Sequence, residues 1–145
     1  MKKLMFVLAA CLMMGTLGAA ELQWTTDLPK AQAAAKAQGK MVFLNFTGSD
    51  WCVWCKKLDA DVFSKPEFID FANKHMIMVC VDFPSKKEIS ATQKAANKAL
   101  KEKYAVKGFP ALIVLNGKVE QVYSQEGYMG DVKKWLADLE AARKK

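Results

Sequence analysis

Two cysteines three residues apart, in Trp51-Cys52-Val53-Trp54-Cys55-Lys56, constrain this chain more than any other stretch. They follow an apolar run, Met41 to Phe46, and precede Leu58, Val62 and Phe63 at helical spacing. That is the pattern of a strand, a short loop and a helix whose first turn carries two thiols. Residues three apart on a helix face the same side with Cβ atoms about 5 to 6 Å apart, so slight tightening of that turn lets the pair close as a disulfide and open again. At the helix N-terminus Cys52 faces unpaired backbone N–H groups and the positive dipole end, which favour thiolate, while Cys55 lies one turn deeper. Cys52 is the expected nucleophile.

A purely structural disulfide around so short a loop would stabilise by only about 2 kcal/mol in the chain-entropy model, a poor reason to place one here. Tetrahedral zinc needs two ligands beyond the pair, and only Cys80 and the single His75 are on offer, with no second Cys-x-x-Cys. Redox chemistry is the expectation, with no metal and no cofactor.

Lys2 and Lys3 stand before an apolar stretch from Leu4 to about Leu17 that ends in Gly18-Ala19-Ala20. This reads as a secretory signal peptide over residues 1–20 rather than a membrane span. The alternative is a lipoprotein signal, because Leu8-Ala9-Ala10-Cys11 fits a lipobox in which Cys11 is acylated, although the apolar stretch runs on through Leu12, Met13 and Met14. Residues 21–145 suffice for one domain with a real core and are too few for two. Beyond the signal, 20 basic residues meet 15 acidic ones, a net charge of +5. The charge is scattered, with no arginine stripe, which argues against a nucleic-acid partner. Three cysteines remain after processing, an odd number that suits one working pair plus a spare in an exported, periplasmic or secreted protein.

Glu21 to Trp24 reads as a short strand, with Thr25, Thr26 or Asp27 capping a helix that faces inward at Leu28, Ala31 and Ala35 and stops at Gly39. Met41 to Phe46 is a buried strand. Ser64-Lys65-Pro66-Glu67 resembles a capping box and opens a helix to about Lys74, with Phe68, Phe71 and Ala72 inward. Met76 to Phe83 is a second buried strand. Ile89, Thr92, Ala96, Leu100 and Tyr104 predict a long amphipathic helix from about Lys86 to Tyr104. Gly108-Phe109-Pro110 breaks it. Ala111 to Leu115, Asn116-Gly117 and Val119 to Ser124 form a hairpin; Gly127 and Gly130 mark a turn before a last helix with Val132, Trp135, Leu136 and Leu139 on one face. The order builds an α/β fold, a central mixed sheet with helices on both faces.

The apolar strand into Trp-Cys-x-x-Cys-Lys, the Gly-Phe-Pro before a strand, and the closing hairpin and helix resemble thioredoxin across nearly the whole mature chain. Asp50-Trp51-Cys52-Val53-x-Cys55-Lys56 and Val62-Phe63-Ser64-x-Pro66 are closer to the exported bacterial branch that includes the C-terminal domain of DsbD. The resemblance implies a thioredoxin fold, Cys52 as attacking thiol, Cys55 as resolving thiol, and Pro110 as the cis-proline beside them. It also implies Trp51 packed by the site, protein disulfides as substrates, a membrane thiol reductant as donor, and a monomer. Three departures stand out. Val53-Trp54 replaces Gly-Pro, whose position tunes redox potential; Asn45 matches the family's buried aspartate only if one residue is inserted in Thr47-Gly48-Ser49-Asp50; and Phe109 replaces a smaller residue before the proline.

Cys80, among Met78, Val79 and Val81, reads as a buried small hydrophobe without chemistry. His75 ends a helix, where a cation suits the dipole. Trp54 is either a docking surface for substrate peptides or partial cover for the thiols. Lys56 and Lys57 favour a thiolate and Asp50 opposes it, each weakly. The methionines read as core filler rather than copper ligands. The expected function is an exported thiol-disulfide oxidoreductase, reductase or isomerase in direction, with Trp51, Trp54 and Phe109 meeting the substrate. The alternative from another class is a binding module that holds clients or a cofactor-assembly partner through Trp54 and Phe109, its disulfide idle.

Overall fold

The computed structural model describes residues 21–145; the expected signal peptide and the lipidation alternative at Cys11 lie outside the described residues. The fold is built outward from strand β2 (Met41–Thr47), every residue of which is buried. A strand presents successive side chains to opposite faces, so burial of all seven requires cover on both sides. Met41 and Phe43 pack with one core and Val42, Leu44 and Phe46 with another.

Five strands run in the order β1-β3-β2-β4-β5. Strands β1 (Trp24–Thr25), β3 (Met76–Asp82) and β2 are parallel, while β4 (Ala111–Leu115) is antiparallel to β2 and β5 (Gln121–Glu126) to β4. Helix α1 (Leu28–Gln38), capped by the Asp27 side chain on the Lys30 amide, and helix α4 (Ala91–Lys103) lie against the Val42 face. The opposite face is covered by α2 (Val53–Leu58) with its π-helical continuation Asp59–Phe63, by α3 (Pro66–His75) and by α5 (Val132–Arg143). Trp135 of α5 is fully buried, and its indole N–H finds the Met129 carbonyl at 2.7 Å, so the largest core side chain leaves no orphan donor.

The mixed sheet with helices on both faces is as expected, and four local readings need correction. The first strand is Trp24–Thr25 rather than Glu21 to Trp24. Helix α4 starts at Ala91, capped by Ser90 rather than near Lys86, and the amides of Ser85, Lys86 and Lys87 in the segment before it donate to the Asp50 carboxylate. Thr92 and Ala96 are exposed, and the residue of α4 that is buried is Asn97, whose side chain donates to the Asp82 carbonyl. Ser64 does not cap α3: its hydroxyl donates back to Ala60, and Lys65 occupies the cap position. Finally, the hairpin loop spans residues 116–120. The Asn116 side chain accepts from the amides of Lys118 and Glu120, and positive φ falls at Val119 rather than Gly117.

Candidate functional site

Cys52 and Cys55 are joined as a disulfide with Cα atoms 5.3 Å apart. Cys52 is the N-cap of α2 rather than a residue of its first turn: its backbone is extended, and its sulfur accepts from the Cys55 amide at 3.2 Å. Both cysteines are buried among their neighbours.

The preceding loop is held on every residue. The Ser49 amide and hydroxyl both donate to the Asp82 carboxylate. Asp50 accepts from the amides of Ser85, Lys86 and Lys87 at 2.7 to 2.8 Å; those backbone donors, led by Ser85 and Lys87, hold its pKa down at about 2. The Trp51 indole donates to the Phe83 carbonyl at 2.8 Å. Gly48 is required beneath that ring, since a Cβ there would collide with the indole. Its carbonyl accepts from Cys52 at 2.8 Å.

The Phe109–Pro110 peptide is cis, Pro110 is buried, and its carbonyl accepts from the Gly127 amide at 2.8 Å. Around the disulfide the aromatic residues form two groups. Trp51 meets Phe109 edge-on at 5.8 Å, and Phe109 stacks on Phe83 at 5.1 Å. Trp54 meets Tyr128 at 5.3 Å. Trp51 and Trp54 are each about half exposed, an unusual display of large apolar surface. Trp54, Phe109, Gly127 and Tyr128 line one concave pocket of about 350 Å³.

A second open pocket, of about 520 Å³, includes Asn45, Thr47, Asp59 and Cys80. Asn45 is buried and stands in register with Cys80, and its Oδ1 meets no donor among the described residues. Asp59 follows Cys55 by one helical turn, with its amide donating to the Cys55 carbonyl. Its side chain keeps contact with solvent at the pocket mouth, yet partial burial pushes its pKa above the usual carboxylate value. Cys80 is half-buried rather than buried as expected, because it opens onto this pocket. Burial first, and the Asp82 charge second, push its thiol up to about 11.

Of the six residues expected at the site, Cys52 and Cys55 are bonded to each other, Trp51 meets Phe109, Trp54 and Phe109 line one pocket, and Pro110 follows Phe109. Sequence reasoning missed Phe83, Tyr128 and Asp59. Only Asp59 left a signal, its spacing of four from Cys55. No group of three or more His, Cys, Asp or Glu among the described residues is arranged to hold a metal ion. No described helix is long and apolar enough to cross a membrane.

The family model described as "Thioredoxin-like domain" matches residues 28–143. Disulfide bond reductase DsbH of Chlamydia pneumoniae is 40% identical over 106 residues, 73% of this chain and 63% of that protein. Thiol:disulfide interchange protein DsbD 2 of Pseudomonas aeruginosa is 32% identical over 95 residues, 66% of this chain and 15% of that protein. The chain therefore spans less than two thirds of the length of these relatives. A solved structure titled "DsbH Oxidoreductase" superposes with a TM-score of 0.80 at 35% identity, covering 90% of each chain.

Proposed function

The chain belongs to the thioredoxin-like family, and from that premise we propose that it is an exported thiol-disulfide oxidoreductase working chiefly as a reductase through Cys52 and Cys55. The observation that carries this is the closed disulfide at the cap of α2, next to the Phe109–Pro110 loop and flanked by exposed aromatic rings. The name of the relative DsbH, a disulfide bond reductase, supports the same direction, and that of DsbD 2, a thiol:disulfide interchange protein, supports the same chemistry.

In the reduced protein the Cys52 thiolate attacks one sulfur of a substrate disulfide, forming a mixed disulfide while the other substrate sulfur leaves as thiolate. Cys55 then loses its proton and attacks the Cys52 sulfur, closing the protein's disulfide and releasing the second substrate thiolate. Two electrons pass to the substrate, and a thiol reductant at the membrane restores the dithiol. The Cys55 amide, already aimed at the Cys52 sulfur, stabilises a thiolate there by a charge-assisted hydrogen bond. Asp59, one turn beyond Cys55 and raised in pKa, receives the Cys55 proton. Pro110 forms the wall against which the substrate sulfur is placed, and Trp51, Trp54 and Phe109 meet its flanking residues. About 30 mV corresponds to 1.4 kcal/mol for this couple, so one or two hydrogen bonds to the Cys52 sulfur shift its potential without by themselves fixing the direction of transfer.

Insulin reduction with dithiothreitol as electron source tests the reading. Turnover that disappears in Cys52→Ser is the expected result; a module that only holds clients would give none in either protein.

A further inference from the structure

The pocket beside the disulfide has a construction that its neighbours explain. Tyr128 is fixed at both ends: its hydroxyl donates to Asp61 at 2.6 Å, and its ring lies against Trp54 with Lys57 Nζ 5.4 Å from its centroid. Lys57 is itself held by Asp61 at 2.9 Å. The opposite wall is Phe109, fixed by its stack on Phe83 and by Lys101 Nζ at 5.2 Å. Gly127 lines the gap, where a side chain would enter open space. A cavity of about 350 Å³ is at the small end for ligand sites, which suits one side chain rather than a cofactor. Three aromatic walls suit an aromatic one.

The charges around it choose the rest of the segment. Asp50 is committed to three backbone amides and Asp61 to Tyr128 and Lys57, whereas Lys101, over the Phe109 wall, has no carboxylate partner among the described residues, and Lys56 meets only the Asp50 carbonyl. We propose that the pocket of Trp54, Phe109, Gly127 and Tyr128 selects extended, acidic substrate segments carrying an aromatic side chain on the same face as the reactive cysteine. In an extended chain that face holds the residues two positions away. The proposal rests on the oxidoreductase reading above and names its substrate class, with Tyr128 setting the specificity.

The test compares three peptides, each linked through its cysteine to glutathione: Glu-Phe-Glu-Cys-Glu-Phe-Glu, the same composition as Glu-Glu-Phe-Cys-Phe-Glu-Glu, and a version of the first with alanine for phenylalanine. Stopped-flow rates of reduction are read as ratios within each protein, so changes in thiol reactivity cancel. The first peptide should react about tenfold faster than the other two. That ratio should fall towards one in Tyr128→Ala and survive in Tyr128→Phe; a fourth peptide, the first with lysine in place of glutamate, should react more slowly than the first, and an equal or faster rate overturns the acidic preference. Equal rates in the wild type, or a ratio untouched by Tyr128→Ala, overturn the proposal. If no peptide is reduced, the oxidoreductase reading fails instead. The pocket is then judged by amide shifts of Gly127 and Tyr128 on titration with the serine analogues: saturation by the first alone upholds it, and no difference between the peptides overturns it.

Discussion

The indole N–H of Trp51 donates to the carbonyl of Phe83 at 2.8 Å, tying the residue before the reactive cysteine to the first residue after β3. Ser49 and Asp50 make parallel ties to Asp82 and to residues 85–87. The loop that delivers Cys52 is thus anchored to a parallel neighbour of its own strand.

Asp50→Asn should weaken this anchorage and do so only where the carboxylate is charged. The folded pKa of about 2 lies below the ordinary 3.8, so the folded state holds fewer protons than the unfolded one between those values. The stabilising contribution is complete above about pH 4 and is lost as pH falls through the folded value. Urea unfolding of both proteins should show a stability gap at pH 7 that closes between pH 4 and pH 2. A gap that persists at pH 2 would assign the loss to something other than the carboxylate's hydrogen bonds.

Brief alkylation of the reduced protein at mildly acidic pH should label Cys52 before Cys55 and Cys80. The Cys55 amide supports a thiolate at Cys52, while burial and Asp82 hold Cys80 near 11, far from ionisation. Peptide mapping by mass spectrometry reads the order. Early labelling of Cys55 would reverse the two thiol roles.

Cys80→Ala should keep insulin turnover while lowering stability by roughly 1 kcal/mol, the ordinary cost of trimming a half-buried side chain. Turnover lost from a folded variant, as judged by circular dichroism, would make Cys80 a relay thiol.

The sheet, its cover of helices and the cysteine pair were legible because each is written in local periodicity: the unbroken apolar runs of β2 and β3, and the Trp135 and Leu139 face of α5. The start of α4 was not legible. The helical pattern at Ile89 and beyond gives no hint that a carboxylate 35 to 37 residues upstream takes the amides of residues 85–87. Asn116-Gly117 pointed to a two-residue turn, but the Asn116 side chain organises a longer one by capping two later amides. Tyr128 was invisible for the same reason as α4. Its place beside Trp54 depends on Asp61, which the π-helical turn after α2 presents to it. At α4 and at Tyr128 a long-range polar contact overrides a local preference, and at Asn116 a short-range side-chain cap does.

The last expectation concerns Asn45 and Asp59, which share a pocket. Asn45 cannot accept the Cys55 proton, and Asp59 is the carboxylate one turn from that thiol. Resolution of a preformed Cys52 mixed disulfide should therefore speed up as pH rises through the raised pKa of Asp59, and Asp59→Asn should remove that inflection. Because the side chain stays open to water, which can take the proton less efficiently, the slowing at pH 7 should be about tenfold or somewhat more, below the 10²-fold or more of a fully enclosed base. Stability should move the other way. A carboxyl whose folded pKa lies above its unfolded one keeps its proton longer in the folded state, so stability falls as pH rises from the unfolded value through the folded one. Asp59→Asn abolishes that loss and should be the more stable protein at pH 7. Adding Asn45→Asp to Asp59→Asn returns a carboxylate to the pocket from the strand side and should recover much of the rate. Stopped-flow pH–rate profiles of the three proteins decide the matter: an Asp59→Asn profile that overlays the wild type would mean that solvent alone takes the proton.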